Sequence, residues 1–178
     1  MINVIDTPNP DTKKFVFDKN IVEKGSREFK EKDGNLDFIN DLFDVGTIEL
    51  IFIDQNFISI RKSKNTSWED LTKKILDILN KYITRDFIPL TFEEENKFTD
   101  EVSIRIEEVL NEKIRPAVAM DGGDIRLISF KNGIAEVMLK GACAGCPSST
   151  VTLKHGVERM IKHYVPEVNS VEAININE

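Results

Sequence analysis

The sequence IAEVMLKGACAGCPSSTVTL occupies residues 134–153, where a β-rich run passes through a glycine-containing loop into a helical pattern. The run Ile134–Lys140 favours a strand. Pro147 suits the first turn of a helix, because the N–H that proline lacks is not needed there, so a helix is predicted to begin just after the second cysteine. The stretch therefore predicts a strand, a loop that carries Cys143 and Cys146, and a helix.

The predicted strand has a partner immediately upstream. Asn132-Gly133 separates it from a second β-rich run, Ile125–Phe130, and Asn-Gly is the strongest short-range signal for a hairpin with a type I′ turn. The residues in front of that run, Asp121-Gly122-Gly123-Asp124, indicate a further turn, with glycines for the bend and carboxylates for local amides.

Helices are predicted on both sides of the hairpin. Pro116 should kink or end the first helix near Arg115, and Pro166 marks the end of the second. Val171–Ile174 is predicted as a last short strand. The buried faces of the helices are predicted at Val102, Ile106, Val109 and Leu110 in the first, and at Leu153, Val157, Met160, Ile161 and Tyr164 in the second.

The first half of the chain has a similar mixture of elements. Thr66 and Glu69 match a capping box at the start of a helix that reaches about residue 83. The other predicted elements are a helix over about 35–44, strands at Ile2–Ile5 and Phe15–Phe17, and a hairpin formed by Thr47–Ile53 and Phe57–Arg61. The predicted fold class is therefore α+β. Two small α+β domains, 1–84 and 100–178, are joined by a short acidic linker, 85–99, that contains Glu93-Glu94-Glu95.

Composition excludes several classes of protein. The chain has 178 residues, and 24 Lys and Arg against 31 Asp and Glu give a net charge of −7. Because no segment concentrates positive charge, nucleic acid is not an expected partner. The apolar runs are too short to span a membrane, and no signal peptide is recognisable. A domain that starts at residue 2 leaves no room for a transit peptide, so a bacterial cytoplasm is expected rather than a mitochondrial matrix.

The candidate chemistry lies at Cys143 and Cys146, the two cysteines of the chain. A helix N-terminus next to them should favour the thiolate form, and Gly141 and Gly145 allow positive φ and leave room beside the sulfurs. Three interpretations stay open: an inert pair, a thiol–disulfide exchange site, and a metal or cluster site. Against exchange, the helix begins after the second cysteine, and the antiparallel hairpin lacks the βαβ unit of a thioredoxin-like protein.

A metal or cluster site needs more ligands than one chain supplies. Zinc sites and iron–sulfur clusters take four ligands. His155 and His163 lie about 12 Å apart along one helix at 1.5 Å per residue, so both cannot reach one metal. Each is expected to face solvent or cap the helix. A symmetric dimer would bring two cysteine pairs together and provide four sulfurs.

The same residues resemble a known family. The C-terminal part is similar to the NifU-like domain, and the N-terminal part to the domain that accompanies it in Nfu-type proteins. One departure is Ala144, where the family often has serine. The matching residues are Arg115–Ile125, Gly141–Thr150, Leu153–Gly156 and His163–Val168 in the C-terminal part, and Thr7–Pro10, Lys14-Phe15, Leu42-Phe43, Phe57-Ile58 and Trp68 in the N-terminal part.

The resemblance implies an iron–sulfur cluster assembly or carrier protein rather than an enzyme. Such proteins hold a [4Fe-4S] cluster, or alternatively a [2Fe-2S] cluster, between two subunits of a homodimer. Cys143 and Cys146 would be the ligands, an upstream assembly scaffold the donor, and apo iron–sulfur proteins the acceptors. The alternatives are a thiol–disulfide oxidoreductase that uses the same two cysteines and a zinc-bridged dimer with a structural role.

Overall fold

The computed structural model describes residues 1–93, 98–144 and 147–174, with side chains for all of these except 147–153. The chain divides into two compact units, Met1–Glu93 and Glu94–Glu178. Each unit combines helices with its own sheet. The prediction of two α+β domains is thus confirmed as a fold class, whereas the boundaries at residues 84 and 100 stay predictions.

The N-terminal unit is built on antiparallel strands. Its described elements are β1 (Ile2–Asp6), β2 (Thr12–Phe17), β3 (Val22–Lys24), β4 (Arg27–Phe29), α1 (Asp37–Asp44), β5 (Ile48–Asp54), β6 (Phe57–Lys62), α2 (Trp68–Tyr82) and β7 (Leu90–Thr91). Within the described residues, one sheet has the order β1-β2-β6-β5-β4, and β3 pairs with β7 in parallel. The core contains Phe15, Ile51, Ile58 and, from the helices, Leu42 and Ile75.

The helix α2 begins one residue later than the capping box predicts. The residue at its N-cap is Ser67, whose hydroxyl accepts a hydrogen bond from the amide of Glu69 at 3.2 Å. Thr66 instead shares a hydrogen bond between hydroxyls with Ser63 at 2.8 Å. The prediction of Thr66 as the cap is therefore wrong, because Ser67 adopts the extended backbone that an N-cap requires and Thr66 belongs to the preceding turn.

Part of the stretch predicted as a linker packs against the N-terminal unit. Phe92 is buried in the core, where its ring meets that of Phe29 edge-on, and Phe87 and Leu90 pack against the same core. The pairing of β7 with β3 adds main-chain hydrogen bonds. Sequence reasoning missed both strands because they are two and three residues long.

The motif that suggested the N-terminal resemblance is held together in space. The indole Nε1 of Trp68 donates to the carbonyl of Pro10 at 3.0 Å, and the hydroxyl of Thr7 donates to the carbonyl of Asn9 at 2.9 Å. Lys62 is buried beside them and makes an ion pair of 2.8 Å with Asp11. The turn after β1 is therefore fixed by its main-chain carbonyls and by the buried Asn9, while Pro8 and Pro10 are themselves exposed.

The C-terminal unit places helices against one sheet. Its described elements are α3 (Glu101–Val109), a π-helical turn (Leu110–Ile114), α4 (Arg115–Met120), β8 (Gly123–Lys131), β9 (Ile134–Gly141), α5 (Pro147–Tyr164) and β10 (Ser170–Ala173). The core is formed by Ile106, Leu110, Ile125, Val137 and Ile161 with their neighbours. Asp100 caps α3 by accepting from the amide of Ser103 at 2.8 Å, and this bond lowers the pKa of the Asp100 carboxyl. Among the residues that the structure describes, no helix is long and apolar enough to cross a membrane.

Pro116 changes the helix at the predicted place without ending it. Proline lacks the N–H that would bond to the carbonyl four residues earlier, and its ring crowds that carbonyl. The chain responds with the π-helical turn Leu110–Ile114, after which α4 continues from Arg115. Such widened turns are a common cause of helix bending, and Arg115 lies at the junction.

The hairpin and the last strand define the topology around the cysteines. Asn132 and Gly133 have φ values of 52° and 78°, so both residues take the left-handed conformation of the predicted type I′ turn. The sheet order is β10-β9-β8 in the described residues, with β10 parallel to β9. The segments β9, α5 and β10 thus form a βαβ unit. The sequence-based argument that such a unit is missing beside the cysteines is wrong, because it considered the hairpin alone and not the parallel pairing of the last strand.

Candidate functional site

Cys143 lies in a tight turn at the end of β9. Gly141 has a φ of 65°, as predicted for a glycine in this loop, and its carbonyl accepts from the amide of Ala144 at 3.2 Å. The amide of Ala142 donates to the carbonyl of Gly122 at 3.1 Å, which ties the turn to the start of β8. Cys143 is buried, with only 4% of its surface exposed.

The Cys143 sulfur packs against the backbone of β8. A Cβ placed on Gly123 would lie 2.7 Å from the Sγ of Cys143, well inside contact distance. In the ladder, Gly123 is paired with Gly141, two residues before the cysteine. The register shifts between Leu127 and Ser129, where one extra residue is inserted in β8. Without that bulge, Asp124 would stand opposite Gly141.

The second predicted ligand lies outside the described residues. Nothing is described of Cys146 or of Gly145, so their predicted roles stay predictions. The helix α5 begins at Pro147, as its fit to a first helical turn predicts. The loop between β9 and α5 is therefore short, and it holds Cys143 at its β9 end.

The two histidines do not complete a ligand set at Cys143. His155 and His163 are both exposed on α5, as predicted. The ring of His163 contacts that of Tyr164 edge-on at a centroid distance of 4.8 Å. Across residues 1–93, 98–144 and 147–174, no group of three or more His, Cys, Asp and Glu side chains could hold a metal ion.

The turn at residues 121–124 leads from α4 into β8, the first strand of the hairpin. Gly122 has a φ of 82°, which favours glycine, and Asp121 is exposed. Asp124 is buried, and its Oδ1 accepts from the amide of Ile125 at 2.8 Å while its Oδ2 lies 3.1 Å from the Nε of Arg126. The prediction that this carboxylate binds a local amide is confirmed.

A second arginine joins the turn to the helices. The Nε of Arg115 donates to the carbonyl of Ile125 at 2.8 Å and lies 3.3 Å from Oδ1 of Asp124. Its guanidinium also lies 3.5 Å from Glu107, whose other oxygen accepts from the amide of Leu127 at 3.2 Å. Sequence reasoning left the role of Arg115 open and missed Glu107. No local signal pointed to Glu107, because residues eight apart in a regular helix lie about 12 Å apart along its axis.

Comparisons with known proteins agree with this architecture. The model of the NifU-like domain matches residues 106–172, and that of the scaffold protein Nfu/NifU N-terminal domain matches residues 2–86. The chain therefore belongs to the Nfu/NifU family, with an Nfu-type N-terminal domain followed by a NifU-like domain. The predicted resemblance is confirmed.

Individual relatives extend beyond this chain. It is 34% identical over 183 residues to the mitochondrial NFU1 iron–sulfur cluster scaffold homolog of Drosophila persimilis, and the match covers 97% of this chain and 64% of that protein. For the Drosophila grimshawi homolog the values are 34%, 97% and 61%. The chain thus spans a little less than two thirds of these relatives. The solution structure of a NifU-like protein from Saccharomyces cerevisiae is 22% identical, covers 54% of this chain and 86% of that one, and has a TM-score of 0.44.

Proposed function

We propose that this protein is an iron–sulfur cluster scaffold or carrier. The observation that carries the proposal is the match of both domains to the Nfu/NifU family, in which the Drosophila relatives are named as cluster scaffolds. The position of Cys143 supports it, because this cysteine lies in a short loop between a strand and a helix N-terminus. In the sequence Cys146 follows three residues later, and a Cys-x-x-Cys pair is a common ligand arrangement in metal sites.

The cluster is held between two copies of the chain. An iron–sulfur cluster takes four thiolates, and the sequence contains two cysteines. Cys143 and Cys146 from each of two chains supply the set in a homodimer. We assign a [4Fe-4S] cluster, with a [2Fe-2S] cluster as the alternative that the same four sulfurs allow.

A shared cluster is suited to transfer. Thiolates of an acceptor can replace those of the carrier one at a time, in the manner of a thiol exchange. This process needs no general acid or base, so the protein acts as a carrier and not as an enzyme. Its partners are then an upstream assembly scaffold as donor and apo iron–sulfur proteins as acceptors.

Anaerobic reconstitution with iron and sulfide tests this function. We expect a brown dimer with about two irons per chain for a [4Fe-4S] cluster, or about one for a [2Fe-2S] cluster. Visible absorbance, iron content and mass by light scattering are read on the same sample. A colourless monomer would contradict the proposal.

Single substitutions then identify the ligands. Cys143→Ala and Cys146→Ala should each abolish stable cluster binding. Alanine is preferred to serine at residue 143, because a hydroxyl would be buried there. His155→Ala is the matched control, since His155 is exposed on α5 and should leave iron content unchanged. A Cys143→Ala protein that retains a normal amount of iron and sulfide would refute the assignment.

A thiol–disulfide oxidoreductase is the second candidate. The βαβ unit formed by β9, α5 and β10 favours it, because thioredoxin-like motifs lie beside such a unit. This function predicts a colourless monomer in which Cys143 and Cys146 form a disulfide reversibly. Titration against glutathione buffers with mass spectrometry of the alkylated chain measures that equilibrium.

A further inference from the structure

Gly123 occupies a position where a side chain has no space. An ideal Cβ on this residue would lie 2.7 Å from the Sγ of Cys143, 3.1 Å from its Cβ and 2.7 Å from the carbonyl oxygen of Lys140. Distances below 3.0 Å essentially never occur for a real Cβ. Any larger residue at 123 therefore displaces the sulfur, the end of β9, or both.

The backbone conformation does not explain this glycine. Gly122, its neighbour, has a φ of 82°, which side chains rarely adopt, whereas Gly123 is not among the residues with positive φ. Gly123 lies in the first position of β8 and is paired with Gly141. What requires glycine at 123 is the contact with Cys143 and the β9 backbone.

We propose that Gly123 is a positioning residue for Cys143. The space left by its missing side chain accommodates the thiol and keeps it buried against β8. A methyl group at 123 would push the sulfur outward, where reagents and metal ions reach it more easily. The relevance of this placement to cluster binding rests on the proposed function, but the placement itself does not.

The reactivity of a single thiol tests the proposal. In the 178-residue chain carrying Cys146→Ser, Cys143 is the one remaining cysteine. We expect Gly123→Ala in this background to speed the reaction of Cys143 with Ellman's reagent, under native conditions, by about tenfold or more, because access controls thiol reactivity. Gly156→Ala is the matched control, since a Cβ there meets nothing within 4 Å, and it should leave the rate unchanged.

A second measurement separates the sulfur contact from general damage to the hairpin. The loss in melting temperature caused by Gly123→Ala is compared in chains with Cys143 and with Cys143→Ala. If the sulfur is the main obstacle, the loss is smaller when the sulfur is absent, and a chain that fails to fold with Cys143 is rescued by Cys143→Ala. Equal losses in both backgrounds, failure to rescue, or an unchanged reaction rate in folded Gly123→Ala protein would overturn the proposal. No iron is needed, so the outcome is independent of whether the protein binds a cluster.

Discussion

The Nε of Arg115 lies 3.3 Å from Oδ1 of Asp124 and donates to the carbonyl of the next residue, Ile125, at 2.8 Å. One guanidinium thus holds both a buried side chain and the main chain at the start of β8. Arg115 is the first residue of α4 and directly follows the π-helical turn. The residues it fixes directly follow Gly123, so Arg115 also anchors the strand against which the Cys143 sulfur packs.

We expect Arg115→Ala to destabilise the C-terminal unit by roughly 1–3 kcal/mol, because Asp124, which is 6% exposed, loses a cationic partner. Urea unfolding followed by circular dichroism measures the change. Lys113→Ala is the control, since Lys113 is about half exposed and should cost little. Equal stability of the two variants would contradict the inference that Arg115 stabilises the start of β8.

The cluster around Trp68 gives a prediction for the N-terminal unit. The ammonium of Lys62 pairs with Asp11 at 2.8 Å and lies 5.6 Å from the centre of the Trp68 ring. Lys62→Met should lower the free energy of unfolding by roughly 1–3 kcal/mol, because it leaves the partly buried carboxylate unpaired. Since Trp68 is the single tryptophan of the sequence, its fluorescence reports this unfolding directly.

The matched control for Lys62→Met is Lys64→Met. Lys64 is exposed two residues further along the chain, so its replacement should leave the emission maximum and the urea midpoint nearly unchanged. If Lys64→Met shifts the midpoint as much as Lys62→Met does, the buried ion pair is not the cause.

Truncation of a side chain on the buried face of α5 should destabilise the protein more than the loss of an ion pair does. Ile161 is fully buried in the core of the C-terminal unit. Ile161→Ala should destabilise this unit by about 2–4 kcal/mol through lost contacts and the cavity that remains. The prediction that Met160 and Tyr164 lie on the buried face is wrong, because they are 38% and 47% exposed. Met160 therefore provides the control, and Met160→Ala should cost less than about 1 kcal/mol. Hydrogen exchange read by mass spectrometry should show the loss of protection in α5 and β10.

The attachment of β10 to α5 should weaken in acid. Hydrogen bonds from Lys162 and from the amide of Val171 lower the pKa of the Glu158 carboxyl below its ordinary value of 4.5. A carboxyl whose pKa is lowered by folding stabilises the protein above the ordinary value, and this stabilisation is lost as the pH falls through the lowered pKa.

Comparison of the unsubstituted chain with Glu158→Gln isolates the contribution of the Glu158 charge to the free energy of unfolding. Glutamine can still accept from Val171 but carries no charge. The stability difference between the two proteins should be largest near neutral pH and should disappear as the pH falls below 4.5. A difference that is constant with pH would show that the charge of Glu158 contributes nothing.

Local signals in the sequence predicted most of the elements around the site. The Asn132-Gly133 turn, the effect of Pro116 and the start of α5 at Pro147 each depend on the conformational limits of one or two residues. Such limits act without help from the rest of the chain. These local features can therefore be predicted from the sequence without knowledge of the fold.

The contacts between distant segments were not predictable in this way. The contact of Gly123 with Cys143 depends on the hairpin register, and that register depends on the bulge between Leu127 and Ser129. Counting back from the turn without a bulge would have placed Asp124 opposite Gly141. The parallel pairing of β10 was missed because pairing partners of short strands are set by the whole fold. The cap at Ser67 was missed by one residue, which is the usual uncertainty of a helix boundary.

The two neighbouring glycines at the start of β8 are required for different physical reasons. Residue 122 must be glycine because of its own backbone conformation, a φ of 82° that side chains rarely adopt. Residue 123 is constrained by two atoms at the end of another strand, the Cys143 sulfur and the carbonyl oxygen of Lys140. In a gene copy that had lost the cysteine at position 143, one of these two obstacles to a side chain at 123 would be gone, whereas the requirement for glycine at 122 would be unchanged. Substitutions at position 123 in such copies would therefore indicate that the thiol at 143 had been lost.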